Sequence, residues 1–231
     1  MEPAAAGDVK LNGMKKRDRP RVIGAALVWA LAAACAGDDP PGRGTTVGES
    51  AAKATAFGDA LAEAAMDRLT HRVRYDGSYR RMAYPGGDVP DEVGVCTDLV
   101  VRSYRALGID LQQLVHEDMT VAFSAYPDRW GLSAPDPNID HRRVPNLEVF
   151  FSRHGELLPV TDDPETYRPG DLVTWNLGPL PHIGIVSPIR TRDGRRPLVV
   201  HNIGRGPELE DMLFDYPIVG HFRFDGGIAA P

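Results

Sequence analysis

Apolar residues recur at four-residue spacing in Phe57, Leu61, Ala65, Leu69 and Val73, which predicts an amphipathic helix over Ser50–Val73. Residues 74–94 break that pattern with Gly, Pro and Asp and read as a loop. Cys96–Leu107 then puts Leu99, Val100, Tyr104 and Leu107 on one helical face, and Gly108 ends it. Asp110 is placed to cap a third helix running to about Ala125, with Leu111, Leu114, Val115, Met119 and Ala122 on its buried side. Prolines at 127, 135 and 137 make 126–143 a long loop, and long loops inside compact domains are often functional. Asn146–His154 is a short helix with Gly155 behind it.

From Gly170 the period changes to two. Leu172–Trp175, Ile183–Ser187, Leu198–His201 and Ile218–Phe224 read as strands, with Arg192-Asp193-Gly194 as a hairpin turn. Helices first and an antiparallel sheet second predict an α+β domain over residues 56–225. No internal repeat is visible.

The amino-terminal part follows different rules. Lys15, Lys16, Arg17, Arg19 and Arg21 precede the apolar run Val22–Ala34, the order of a bacterial secretory signal, expected over residues 1–36. Met14 opens this segment directly and can serve as the true start. Leu31-Ala32-Ala33-Ala34-Cys35 resembles a lipoprotein signal, which would put a lipid anchor on Cys35; Ala34-Cys35-Ala36 is equally an A-x-A cleavage site. Either outcome predicts an exported protein of the periplasm or outer membrane. Residues 37–55, rich in Gly, Pro, Ser and Thr, read as a linker.

Composition narrows the function classes. The chain of 231 residues is 42% apolar and carries a net charge of −6. Residues 1–36 hold 6 basic and 3 acidic side chains, so the rest has 20 against 29, a net −9, with no footprint for nucleic acid. Two cysteines, Cys35 and Cys96, exclude a disulfide scaffold and a four-cysteine zinc site. With Cys35 lost or blocked, Cys96 is a lone thiol in an oxidising compartment.

Cys96 stands in the first turn of a predicted helix, where free N–H groups and the helix dipole favour a thiolate, so a lowered thiol pKa is expected. A nucleophilic cysteine needs a base, usually a histidine held by a third polar group. His182 opens one predicted strand and His201 closes the next, and the hairpin turn between them would bring both to one edge of the sheet.

The run Pro169-Gly170-Asp171-Leu172-Val173-Thr174-Trp175, then His182-Ile183-Gly184-Ile185-Val186, then Val199-Val200-His201 is similar in order and spacing to the carboxy-terminal half of NlpC-type cell-wall peptidases. Upstream, Tyr84-Pro85-Gly86-Gly87, Cys96 and the helix ending Leu107-Gly108-Ile109 resemble the same family's tyrosine, Gly-Gly and Cys-Ser-Gly helix. The resemblance implies a papain-like core, with a nucleophile-bearing helix packed on an antiparallel sheet, and a helical and loop insertion at 111–166. It implies Cys96 as nucleophile, His182 as general base and His201 as orienter, with no cofactor and no metal. The implied substrate is an amide bond in peptidoglycan stem peptides or another envelope peptide.

The chain departs from the family pattern. Thr97-Asp98 replaces Ser-Gly, and a carboxylate so near the thiol opposes its ionisation unless it points away or meets a substrate amine. Tyr84 stands one residue closer to Gly-Gly than in the family. Candidate substrate contacts are Tyr84, Asp98, Asp140, His141, Arg142 and Asn202, with Arg142 and Arg143 suited to a carboxylate and Asp140 to an amine. The acidic pair Glu210-Asp211 is a lesser candidate beside the sheet edge. Two rival readings stand beside the enzyme: a zinc site using His116-Glu117-Asp118, Asp140-His141, His182 and His201, and an envelope-binding lipoprotein domain that keeps the fold without turnover.

Overall fold

The computed structural model describes residues 46–227, with side chains from residue 52 onward. The expected signal segment, Met14 and Cys35 lie outside the described residues. Four helices come first, α1 (Thr46–Asp67), α2 (Cys96–Ala106), α3 (Leu111–Ala122) and α4 (Val144–His154), interrupted by a two-stranded parallel ribbon of β1 (Arg74–Tyr75) and β2 (Val93–Gly94). Six strands follow: β3 (Glu156–Leu157), β4 (Leu172–Leu177), β5 (Leu180–Arg190), β6 (Pro197–Asn202), β7 (Pro207–Glu210) and β8 (Ile218–Arg223). They form one antiparallel sheet in the order β3-β8-β4-β5-β6-β7. The molecule is α+β, with helices on one face of an antiparallel sheet.

The strand alternation separates two cores. Leu172, Ile183, Ile185, Val200 and Phe222 face the helices and pack with Leu61, Leu99, Val100, Tyr104 and Phe151. Val173, Trp175, Val186 and Val199 face the other way and are covered by Tyr167, Met212 and Leu213. Both faces of β4 and β5 are covered, so their polar residues Thr174 and His182 are buried as well.

Several boundaries move for local reasons. The expected linker ended at residue 55, but α1 already begins at Thr46, where Ala51, Ala52 and Ala54 favour helix. Helix α4 starts at Val144 because Pro145 suits the first helical turn. Asp110 caps α3 by accepting the Gln112 N–H at 3.1 Å. Strand β7 escaped the reading because its four residues are all half-buried and show no alternation.

Gly170 of the Pro-Gly-Asp motif takes φ +84°, and a Cβ there would lie 2.2 Å from the Gly58 carbonyl oxygen. The backbone of α1 therefore rests directly on the start of β4. The next residue, Asp171, is buried and accepts hydrogen bonds from Arg223 (2.7 and 2.9 Å), bonds His221 (2.8 Å) and caps the Arg168 N–H (2.8 Å). It ties β4 to β8.

Candidate active site

Helix α2 begins at Cys96 because Gly94-Val95 is extended and Asp98, in the first turn, reaches back to accept the Val95 N–H at 2.7 Å. The Cys96 thiol is buried, and the backbone N–H groups of Cys96, Thr97 and Ile183 point at its sulfur. Ile183 is the residue after His182, so the contact brings the amino end of α2 against the start of β5.

His182 and His201 are both buried, and Nε2 of His182 lies 3.1 Å from Nδ1 of His201, with the rings edge to face. Register explains the pairing: Gly184 is opposite His201 across β5 and β6, so His182 and His201 lie diagonally on one face. With Nε2 of His182 engaged, Nδ1 is the nitrogen left for proton transfer. The Trp175 ring covers the imidazole of His182 at 6.0 Å. A thiol, an imidazole and a second imidazole behind it are the parts of a nucleophile, a base and an orienter.

Burial decides the resting protonation. It pushes the Cys96 thiol up to about 12, with the field of Asp98 adding to the rise and the three backbone N–H groups opposing it. This reverses the expectation from the helix terminus: the dipole is present, but desolvation outweighs it. Burial likewise lowers His182 to about 3, with His201 contributing in the same direction. At neutral pH the resting pair is a thiol and a neutral imidazole.

The candidate substrate contacts fare differently, and most are already committed to the fold. Asp98 receives two hydrogen bonds from Arg142, 2.8 Å from Nε and 3.0 Å from Nη2, with both side chains almost fully buried. Arg142 also donates to the backbone carbonyls of Ser78 (3.1 Å) and Asp76 (3.2 Å), so its guanidinium is not available for a substrate carboxylate. Asp140 accepts from the Asp136 N–H and from Arg143 (3.2 Å) and is buried, so it does not present itself to an amine. Arg143 also lies 3.9 Å over the Trp130 ring. His141 is buried, its imidazole held down to about 4 by desolvation. Asn202 donates to the Gly94 carbonyl (3.3 Å) and accepts from the Gly204 N–H (3.2 Å), pinning the end of β6 to the approach to Cys96. Asp98, Asp140, Arg142 and Asn202 are thus each engaged by partners within the protein.

Tyr84 is placed elsewhere. Its ring packs edge-on against His116 of α3 at 4.9 Å, and its charged neighbours are Glu117 and Asp110. The adjoining Gly86 and Gly87 N–H groups bond Asp110 (2.6 Å) and Gln112 (2.8 Å). Tyr75 takes the position near the thiol. Its strand pairs Tyr75 with Gly94, two residues before Cys96. Tyr75 is 42% exposed, yet partial desolvation of its phenol raises it above the ordinary value, and the fields of Cys96 and Asp98 act in the same direction. Tyr75 therefore stays a hydrogen-bond donor within electrostatic reach of the sulfur. The sequence hid it because 74–94 reads as an unbroken loop and the two-residue ribbon has no periodic signal.

Among the described residues, Cys96 is a free cysteine, and no group of three or more His, Cys, Asp or Glu side chains is placed to hold a metal ion. Nor is any helix among them long and apolar enough to cross a membrane.

Residues 62–224 match the family described as "Domain of unknown function (DUF1287)". The chain is 51% identical over 166 residues to the uncharacterized protein YijF of Escherichia coli (strain K12), an overlap of 71% of this chain and 80% of that protein. Among solved structures, NlpC1 from Trichomonas vaginalis aligns with 72% of this chain at 16% identity and a TM-score of 0.40, and the chain spans 44% of its length.

Proposed function

The chain belongs to the DUF1287 family, and from its site we propose that it is a cysteine hydrolase with an NlpC-type, papain-like core that cleaves an amide bond by Cys-His-His catalysis. The observation that carries the reading is the meeting of the Cys96 sulfur with the Ile183 N–H, beside His182, whose Nε2 is held by His201 at 3.1 Å.

In this reading His182 Nδ1 takes the thiol proton as the sulfur attacks the substrate carbonyl carbon, so charge separates only when the C–S bond forms. The neutral resting pair suits such a concerted start. Negative charge builds on the carbonyl oxygen, and the donors at hand are the N–H groups at the start of α2 and the Tyr75 phenol. The tetrahedral adduct collapses with cleavage of the C–N bond, and the imidazolium returns its proton to the leaving amine. Water then attacks the thioester with His182 as base, releasing the acid and restoring the thiol.

The substrate we propose is a stem peptide of peptidoglycan, reached by export through the signal segment. Purified sacculi are digested with wild type and C96A, and the released fragments are compared by mass. Peptide fragments released only by wild type are expected; identical digests overturn the peptidoglycan assignment. The buried thiol favours a second reading, an envelope-binding domain without turnover. Alkylation of Cys96 by iodoacetamide separates the two. A rate that falls in H182A supports the enzyme, and a rate indifferent to H182A supports the binding domain.

A further inference from the structure

The proposed reaction needs the basic lone pair of His182 on Nδ1, yet a neutral imidazole carries its proton on either nitrogen. The contact between His182 Nε2 and His201 Nδ1 at 3.1 Å admits two arrangements. In one, His182 donates from Nε2 and keeps its lone pair on Nδ1; His201 then carries its own proton on Nε2. In the other, His201 donates from Nδ1, and the proton of His182 sits on Nδ1, where it blocks uptake from the thiol. The choice rests on what His201 Nε2 meets.

That nitrogen is buried and makes no aligned hydrogen bond, and the Oε2 atom of Glu210 lies 3.2 Å from it. A carboxylate accepts and cannot donate, so it favours a proton on Nε2. Glu210 is 41% exposed, whereas the imidazole beside it is fully buried. The register of β7 against β6 sets Glu210 opposite Val199 and Glu208 opposite His201, so both carboxylates share the face of His201. Arg205 stands 3.5 Å from Glu208 Oε1 and 3.8 Å from Glu210 Oε1, while it is Oε2 of Glu210 that meets the imidazole.

We propose that Glu210 is a positioning residue that holds the proton of His201 on Nε2 and thereby makes Nδ1 of His182 the base toward the Cys96 thiol. No further proton moves when His182 is charged: His201 stays neutral, and the carboxylate stabilises the imidazolium through it. The role rests on His182 being the base, whereas its first consequence, the tautomer of His201, does not.

Long-range 15N–1H spectra of the 15N-histidine-labelled chain distinguish the two tautomers, with His182 and His201 assigned through H182Q and H201Q. Wild type is expected to show the Nε2–H form at both residues. E210L should convert His201 to the Nδ1–H form or a mixture, take His182 with it, and slow Cys96 alkylation on the order of tenfold. E210Q, whose amide oxygen still accepts, should restore most of the wild-type spectrum, and E208L should leave it unchanged. Should E210L fail to fold, E210A serves in its place. A wild-type His201 protonated on Nδ1, or an Nε2–H form that survives in E210L, overturns the proposal. Survival in E210L with loss in E208L assigns the contact to Glu208 and overturns it equally. A tautomer shift in E210L together with alkylation indifferent to H182Q sustains the contact and removes the catalytic reading instead.

Discussion

Arg142 reaches back 44 positions in the chain to hold Asp98 through two hydrogen bonds, 2.8 Å from Nε and 3.0 Å from Nη2. The pair links the insertion to the first turn of α2, the helix that carries Cys96. Thr97 adds a second link by donating to the Arg142 carbonyl at 3.0 Å. A carboxylate that looked hostile to the thiol is thus compensated by a cation from another segment, and its second oxygen caps the helix.

Removing Arg142 leaves Asp98 buried without its cation. R142A is expected to lower unfolding stability by about 3–5 kcal/mol, and R142K to recover only part of it because the planar fork is lost. The double variant D98N/R142M should cost less than the two single changes added together. Urea unfolding of wild type, D98N, R142M and the double variant checks this; an additive cycle would show that the pair is not coupled.

Tyr75, rather than Tyr84, should matter for turnover. On the peptide released from sacculi, Y75F is expected to lower kcat by about 10²-fold with KM and the urea midpoint little changed, the result of losing one oxyanion donor. Y84F should leave kcat near wild type. Equal effects of the two changes would place Tyr75 outside the reaction.

Acid should weaken the fold through its buried neutral histidines. His141 and His182 fall from 6.5 to about 4 and about 3, so the unfolded chain binds more protons than the native one as pH drops below 6.5. Their contribution is complete above the unfolded value and is lost as pH falls toward the folded values. The loss from each is on the order of 3–5 kcal/mol once pH has fallen below the folded value. Thermal unfolding from pH 8 to pH 4 should show the decline beginning near pH 6.5, and H141N should flatten it. A Tm that holds steady down to pH 4 would contradict the burial of these imidazoles as neutral groups.

At the far side of the sheet, D171A strands Arg223 and His221 without their shared carboxylate. A loss on the order of 3 kcal/mol is expected. D171N, which keeps an acceptor oxygen, should lose less. Denaturant midpoints of the two variants decide it.

Much of this was legible in the chain. Periods of four and two marked the helices and most strands, the Arg192-Asp193-Gly194 turn implied that His182 and His201 share one edge of the sheet, and the position of Cys96 after Val95 put it at a helix start. These features depend on neighbours a few residues away, and backbone geometry and periodicity carry such information in sequence. Strands β3 and β7 and the ribbon of β1 and β2 were not legible, because two-residue strands and a uniformly half-buried one have no alternation to read.

Whether a polar residue meets a substrate or a partner within the protein is a different kind of question. Asp98, Asp140, Arg142 and Asn202 all have the chemistry to bind a ligand, and the tertiary structure gives each an internal partner. The thiol makes the same point with energy: the helix terminus, visible in the sequence, favours the thiolate, but the burial that raises Cys96 to about 12 comes from segments far away in the chain. Local order follows from torsions and spacing, which the sequence writes out residue by residue. Desolvation and ion pairing depend on which distant groups arrive at the same place, and only the packed structure decides that.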